Sequence, residues 1–325
     1  MNVNLTTYCN LKCPYCFAVD LWESAGNKRD DKEISIKNLK IVMDFMKKSG
    51  LREFRMFGGE PTLHTRFKEV YDIVSRNGFT VQIFSNGIIA KEIVEFLSKK
   101  KNLKNIIINV QYSNVYSSEQ YEMLNFTLSK LNKAINLGFV VYKADFDAYF
   151  IIDLIEKYNL SKDVKWSIAT SCFKHKNTFL KLKDHKKVIG RLVEHSRRFK
   201  RHHIRWYPDT TFMWCLFKKE QLDELYRNVK FKPENLCFPV LEVVPNLTVY
   251  RCYGTASLSK PTLKITDFKD EREAFSYFSK KEAFLKEIGV FNECFRCDSR
   301  GQVCGGGCLV HILKSLSKQD CGYIY

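Results

Sequence analysis

The sequence predicts an α/β chain of parallel strands, extended by a small cysteine-rich C-terminal domain. Three observations carry that expectation: six alternations of a short apolar strand with an amphipathic helix, a three-cysteine loop after the first strand, and seven cysteines in the last 89 residues. Repeated strand-helix units favour parallel strands with right-handed crossovers. They place loop-borne chemistry at the C-terminal ends of the strands.

The first strand is the alternating run Val3, Leu5 and Thr7, leading into Cys9-Asn10-Leu11-Lys12-Cys13-Pro14-Tyr15-Cys16. Asp20 to Lys32 is polar, with Gly26 and Asn27 as breakers, and reads as a loop. Leu39, Val42, Met43, Phe45 and Met46 fall at helical spacing within Ile34 to Lys48, with Gly50 as C-cap. Residues 53–57 are a strand running into Gly58-Gly59-Glu60-Pro61. Phe67, Val70, Tyr71 and Val74 form a helical stripe closed by Asn77-Gly78, and Thr80 to Phe84 is a strand ending in Ser85-Asn86-Gly87. Ile93 to Leu97 predicts a helix, Asn105 to Val110 a strand followed by Gln111-Tyr112-Ser113, and Glu119 to Leu137 a helix stopped by Gly138. A strand at Phe139 to Lys143, a helix at Ala148 to Tyr158 and a strand at Val164 to Ala169 complete the alternation.

With 325 residues and 45% hydrophobic content, burial is not limiting. No stretch approaches the ~18–20 uninterrupted apolar residues of a membrane span. Met1-Asn2-Val3-Asn4 lacks a basic n-region followed by an apolar core, so the expected location is cytoplasmic and no membrane partner is expected. Twelve cysteines exceed what packing needs and fall short of a disulfide-dense scaffold, so in a reducing compartment the thiols are available to metals. The formal charge is +17, of which +10 falls between Lys174 and Arg205, where twelve Lys or Arg face only Asp184 and Glu194. Such a patch favours an acidic partner, polypeptide or nucleic acid; a solvated helical face is the plain alternative.

Three thiols within eight residues offer soft ligands to zinc or to an iron-sulfur cluster. A structural zinc wants four ligands, usually from paired C-x2-C knuckles, so an isolated C-x3-C-x2-C suits a three-legged cluster with an open iron. At Gly58-Gly59-Glu60-Pro61, two glycines at a strand end permit close backbone approach and the proline keeps a helix from starting early.

The C-x3-C-x-aromatic-C pattern, with Tyr15 as the aromatic, resembles the radical S-adenosylmethionine (SAM) enzymes, and Gly58-Gly59-Glu60-Pro61 is similar to their G-G-E-P segment. That resemblance implies an open partial (β/α)6 barrel. It also implies a 4Fe-4S cluster on Cys9, Cys13 and Cys16, whose fourth iron chelates SAM and whose reduced form cleaves it to a 5'-deoxyadenosyl radical. Gly58, Gly59, Glu60 and Pro61 would then bind the SAM amino group. Ser85 and Asn86 would lie near its methionyl and ribose groups, unless Ser85-Asn86-Gly87 is a simple turn. Gln111 and Ser113 would contact the ribose or carboxylate, although the usual pattern is poorly matched there.

The seven C-terminal cysteines are Cys237, Cys252, Cys294, Cys297, Cys304, Cys308 and Cys321, with Gly305-Gly306-Gly307 packed among them. A zinc ribbon could use one four-thiol block, but seven thiols are too many for one zinc. The block resembles the SPASM extension of radical SAM enzymes, departing from its pattern where Leu247 replaces the usual glycine and where the gap from Cys297 to Cys304 is one residue longer. By that resemblance Cys237, Cys252 and Cys308 hold a first auxiliary cluster, with an open iron unless Cys215 reaches it. Cys294, Cys297, Cys304 and Cys321 hold a second. The expected domains are a barrel over 1–171, a basic bridging region over 172–236 and the auxiliary-cluster domain over 237–325.

Within the basic region His202 and His203 are candidates for acid/base chemistry or plain surface residues. Asp145 and Asp209 are conceivable proton acceptors. The resulting expectation is oxidative modification of a peptide by hydrogen abstraction, as in maturation of a ribosomally made and post-translationally modified peptide (RiPP), forming a thioether, carbon-carbon or similar crosslink. The partners would be an acidic precursor peptide and an external low-potential electron donor. Because the barrel begins at the first residue, precursor recognition is expected to use the body of the enzyme or a separate protein. The alternatives are a side-chain oxidase resembling anaerobic sulfatase maturases, a small-molecule dehydrogenase, and a nucleic-acid-binding module with structural metal.

Overall fold

The computed structural model describes residues 1–19, 29–172, 177–209, 213–227, 240–258, 262–302 and 304–316. Seven parallel strands form the body of one sheet: β1 (Asn2–Thr6), β2 (Glu53–Gly58), β3 (Thr80–Ser85), β4 (Leu103–Asn109), β5 (Ile135–Val141), β6 (Asp163–Ile168) and β7 (Arg205–Pro208). Each pairs with its neighbours in sequence, from β1 at one side to β7 at the edge. This strictly sequential order is that of a partial barrel; a doubly wound sheet would reverse direction part-way. Beyond β1 the sheet gains β8 (Glu242–Val243), parallel to β1, and β9 (Val249–Tyr250), antiparallel to β8. The C-terminal part of the chain is thereby stitched to the strand that feeds the cysteine loop.

The crossover helices are α1 (Ile36–Lys48), α2 (Phe67–Arg76), α3 (Lys91–Ser98), α4 (Ser118–Lys130), α5 (Phe150–Tyr158) and α6 (Leu182–Arg201). Each buries an apolar stripe, as α1 does with Leu39, Val42, Met43, Phe45 and Met46. Ser35 caps α1 by accepting from Asn38 N, and Ser117 with Gln120 forms a reciprocal capping box on α4. A helical turn at Arg29–Lys32 occupies the end of the stretch read as a loop.

Two expectations need correction. The helix read over Glu119 to Leu137 ends at Lys130, and β5 begins at Ile135 in place of Phe139. Leu131 continues the helical stripe, but Ile135, Leu137, Phe139 and Val141 alternate with strand period and are all buried. Gly138 is therefore no helix stop: it sits inside β5, where a Cβ would stand 2.4 Å from Asn109 Oδ1 on the neighbouring strand. Secondly, the parallel sheet continues past residue 171. α6 and β7, both in the basic stretch, add a seventh strand on β6, because Val188, Ile189, Leu192 and Phe199 bury one face of α6 and Trp206 is buried in β7.

α7 (Lys219–Arg227) packs on α6, and the C-terminal part is built on α8 (Glu271–Ile288) and α9 (Leu309–Leu316). It has a small apolar cluster of its own, Leu182, Met213, Leu285, Val290, Leu309 and Ile312, which ties the start of α6 to α8 and α9. No described helix is long and apolar enough to cross a membrane.

Candidate metal centre

The site is assembled where β1 and β2 end side by side. Gly59 N donates to Thr6 O at 2.8 Å and Glu60 N to Tyr8 O at 2.7 Å, so the backbone entering the cysteine loop is clamped against the Gly-Gly turn. A Cβ on Gly58 would lie 2.4 Å from Thr6 O, and one on Gly59 2.2 Å from Tyr8 O. The glycines thus serve the approach of one strand end to the next.

Glu60 is fully buried, and its carboxylate accepts four hydrogen bonds. Oε1 takes Thr62 N at 3.2 Å and Thr62 Oγ1 at 2.6 Å; Oε2 takes Ser85 Oγ at 2.9 Å and Asn86 N at 2.8 Å. Burial pushes this carboxyl above its usual range, opposed by those donors. Glu60 also N-caps a 3-10 turn, Pro61–Leu63, with Pro61 at its first position. The proline begins a short helical turn here, where it was expected to delay one. Glu60 therefore cross-links the ends of β2 and β3 and holds the turn.

Asn86 passes the link onward. Its Nδ2 reaches Asn10 Oδ1 at 2.8 Å and Cys9 Sγ at 3.6 Å, and its Oδ1 accepts from Ile88 N at 2.9 Å. Asn10 in turn donates to Ile88 O at 2.9 Å and accepts on its carbonyl from Gln120 at 3.1 Å. Ser85 and Asn86 accordingly hold Glu60 and the cysteine loop. Gln111 is buried, donating its backbone N–H to Tyr116 Oη at 2.8 Å and bonding Tyr15 Oη through its side chain. Ser113 is exposed at the head of a 3-10 turn, Ser113–Val115, and is not brought into this network.

Cys9 is exposed, while Cys13 and Cys16 are half-buried around a turn in which Cys16 N donates to Cys13 O at 3.1 Å. Burial, then the neighbouring Cys16 and Cys9, push the metal-free Cys13 thiol up to about 12, with a hydrogen bond from Tyr15 opposing. Tyr15 packs against Tyr142 with ring centroids 5.1 Å apart and planes tilted by 35°. Among the described residues no three His, Cys, Asp or Glu groups could hold one metal ion; around a zinc, with bonds of ~2.3 Å, thiolates would converge within ~4 Å of each other. The donor set of three coupled soft thiols on one loop fits a multi-iron group.

Sequence reasoning missed several parts of this surround. Cys172 directs its thiol to Cys16 O at 3.2 Å, Asn177 bonds Tyr15 O at 3.3 Å and Thr170 O at 2.8 Å, and Lys314 of α9 reaches Cys172 O at 3.3 Å. Arg251, next to Cys252, forms a buried ion pair with Glu282 of α8, which also accepts from Thr255 Oγ1 at 2.7 Å. The only sequence signal for these is their being polar residues within apolar or cysteine-rich stretches.

Of the seven C-terminal cysteines, Cys237 and Cys321 lie outside the described residues. The segments that carry Cys252 and Cys308 pack closely two residues beyond each: a Cβ on Gly254 would stand 2.1 Å from Val310 Cγ2. Cys294, Cys297 and Cys304 share one loop, closed by Cys297 N to Cys294 O (3.3 Å), Arg300 N to Cys297 O (3.1 Å) and Cys304 N to Ser299 O (3.0 Å). Leu247, where the related pattern has glycine, keeps a left-handed backbone at φ 72° and is buried. Elsewhere, His202 is a half-buried partner of Glu156 at 2.7 Å, Asp209 pairs with Lys165 at 2.8 Å and Asp145 is exposed.

Comparison with known proteins matches residues 3–138 to the Radical SAM superfamily. By fold, the chain is similar to Streptococcus suis SuiB bound to S-adenosylmethionine, with a TM-score of 0.63 at 15% identity, covering 96% of this chain and 73% of that one. By sequence it is 28% identical over 156 residues to 7-carboxy-7-deazaguanine synthase of Clostridium acetobutylicum, 47% of this chain and 65% of that protein. It is 30% identical over 114 residues to the antilisterial bacteriocin subtilosin biosynthesis protein AlbA of Bacillus subtilis, 35% of this chain and 24% of that one. The chain thus spans less than two thirds of the length of the curated relatives it matches. With the cysteine loop, the Glu60 network and strands β2, β3 and β4 inside the matched span, residues 3–138 are a radical SAM domain, of a family that uses a 4Fe-4S cluster and SAM.

Proposed function

We propose that this chain is a RiPP maturase: a radical SAM enzyme that oxidatively crosslinks a peptide through hydrogen abstraction. The observation that carries the reading is the extent of the fold likeness, which takes in 96% of the chain and so reaches beyond residue 138 into the cysteine-rich part. The SuiB structures include one bound to precursor peptide SuiA. The likeness to 7-carboxy-7-deazaguanine synthase leaves more than half of this chain unmatched, so it lends less support to a small-molecule reaction.

On this reading Cys9, Cys13 and Cys16 hold the SAM-binding cluster, and the C-terminal cysteines hold two auxiliary clusters, Cys252 and Cys308 with Cys237 in one and the Cys294–Cys304 loop in the other. A 4Fe-4S cluster with SAM supplies, on reduction by an external low-potential donor, a 5'-deoxyadenosyl radical. The protein's part is placement. Glu60 and Asn86 fix the cysteine loop against the ends of β2 and β3, and Tyr15, Tyr142 and Gln111 wall off its inner side. The exposed face of α6, with Lys183, Lys186, Lys187, Arg197, Arg198, Lys200 and Arg201, would attract an acidic precursor.

The test is to incubate anaerobically reconstituted protein with SAM, reductant and the peptides encoded beside its gene. A peptide product lighter by two hydrogens supports the reading. Turnover of a small molecule in place of any peptide would move the assignment to the dehydrogenase class.

A further inference from the structure

We propose that Cys172 and Lys314 are positioning residues for the N-terminal metal group: through them the C-terminal helix α9 holds the backbone of the loop that carries Cys13 and Cys16. The proposal rests on Cys9, Cys13 and Cys16 being the cluster ligands. It does not depend on which substrate the enzyme takes.

Every residue from Cys13 to Cys16 has its carbonyl engaged. Cys13 O accepts from Cys16 N within the loop. The other three are held by the described residues on either side of 173–176: Thr178 N donates to Pro14 O at 2.7 Å, Asn177 Nδ2 to Tyr15 O at 3.3 Å, and the Cys172 thiol to Cys16 O at 3.2 Å. The Asn177 side chain also latches the two flanks together, accepting from Cys172 N at 2.9 Å and donating to Thr170 O at 2.8 Å. Ser171 and Cys172 are buried, and Phe179 packs against the cluster of Tyr15, Tyr142 and Ala169. Three consecutive carbonyls are thus satisfied from one short stretch of chain, and the loop cannot shift without breaking those bonds.

That stretch is fastened in turn to α9. Lys314 Nζ donates to Cys172 O at 3.3 Å and stands 5.2 Å from the centre of the Phe179 ring. One turn earlier, the His311 ring lies 6.4 Å from Phe179, centroid to centroid. Leu182, a little beyond Phe179, is buried with Leu309 and Ile312 of α9. Because α9 follows Cys308 directly, a continuous path runs from Cys308 along the helix to Lys314, then to Cys172 and to Cys16. Sites joined in this way should share a coupling free energy.

The experiment exposes the iron-loaded chain to a ferrous chelator and an alkylating reagent, and times the modification of each cysteine by mass spectrometry. Lys314→Met, which keeps the stem and loses the donor, should speed alkylation of Cys13 and Cys16 by about two- to tenfold, the weight of one hydrogen bond. Cys172→Ala should do the same, whereas Cys172→Ser, which keeps a donor, should retain the wild-type rate. Cys294, Cys297 and Cys304 should react at the wild-type rate in all three variants. Unchanged rates at Cys13 and Cys16 would show that nothing is held through this path, and equal acceleration at every cysteine would show general loosening; either overturns the proposal. If Cys9, Cys13 and Cys16 of the wild type react equally with and without iron loading, the ligand assignment itself falls, and the proposal with it.

Discussion

Asn86 donates its backbone N–H to Glu60 Oε2 at 2.8 Å. Because the Asn86 side chain also bonds Asn10 and Cys9, this contact joins the ends of β2 and β3 to the first cysteine of the loop. The glutamate of the Gly-Gly-Glu-Pro turn is thus a positioning residue, and its consequences can be measured apart from any cofactor.

Glu60→Gln should destabilise the metal-free protein by about 1–3 kcal/mol, the cost of leaving a buried donor unpaired. Both oxygens face a backbone N–H, Thr62 N on one side and Asn86 N on the other, so the amide NH2 must confront one of them. Urea unfolding of the apo-protein reads this directly. Unchanged stability would mean that the carboxylate is not held as described.

Asn86→Ala should lower the midpoint potential of the cluster on the first cysteine loop, since hydrogen bonds to cluster sulfurs favour the reduced, more negative state. A bond worth ~0.5–1.5 kcal/mol corresponds to ~20–60 mV for one electron. An EPR-monitored redox titration measures it, with iron content as the control for assembly.

Gly59→Ala should cost about 1–3 kcal/mol through overpacking, because its Cβ would stand 2.2 Å from Tyr8 O. The strain falls on the backbone one residue before Cys9. Loss of iron from the N-terminal site should accompany the lower stability, and normal iron loading would show that the clamp on Tyr8 is dispensable.

Acid should weaken the fold through His185. Burial lowers this imidazole to about 4, against the backbone bond to Leu180 and the charge of Asp184. Its neutral form is the one the folded state holds, so its contribution is present above ~6.5 and is lost as pH falls toward about 4, at up to ~1.4 kcal/mol per pH unit. His311, 5.5 Å away between ring centroids, is lowered to about 3 by burial and adds in the same direction. His185→Gln should flatten the pH dependence of urea unfolding of the apo-protein between pH ~4 and ~6.5; an unchanged slope would place the acid sensitivity elsewhere.

The strands and crossover helices were legible because their apolar periods are strong and local. What failed were boundaries and partners. Leu131 and Ile135 fit a helical stripe, and only the period-two run from Ile135 to Val141 reveals the strand. β7 was hidden because its neighbours are basic, although Trp206 is buried. The three-cysteine loop and Glu60 were visible as motifs. The use of Glu60 was not, since its partners Ser85 and Asn86 lie 25 and 26 residues away and no periodicity encodes them. Leu247 shows the same limit: the left-handed turn persists without its glycine, at about 1–2 kcal/mol of backbone strain, because the side chain is buried in the main core.

The most direct test of the account is release of 5'-deoxyadenosine from SAM by the anaerobically reconstituted, reduced protein, compared with Cys13→Ala. The account predicts release by the wild type and none by the variant, with the C-terminal iron still in place. Iron-loaded wild-type protein that leaves SAM intact, or equal release by Cys13→Ala, would contradict it.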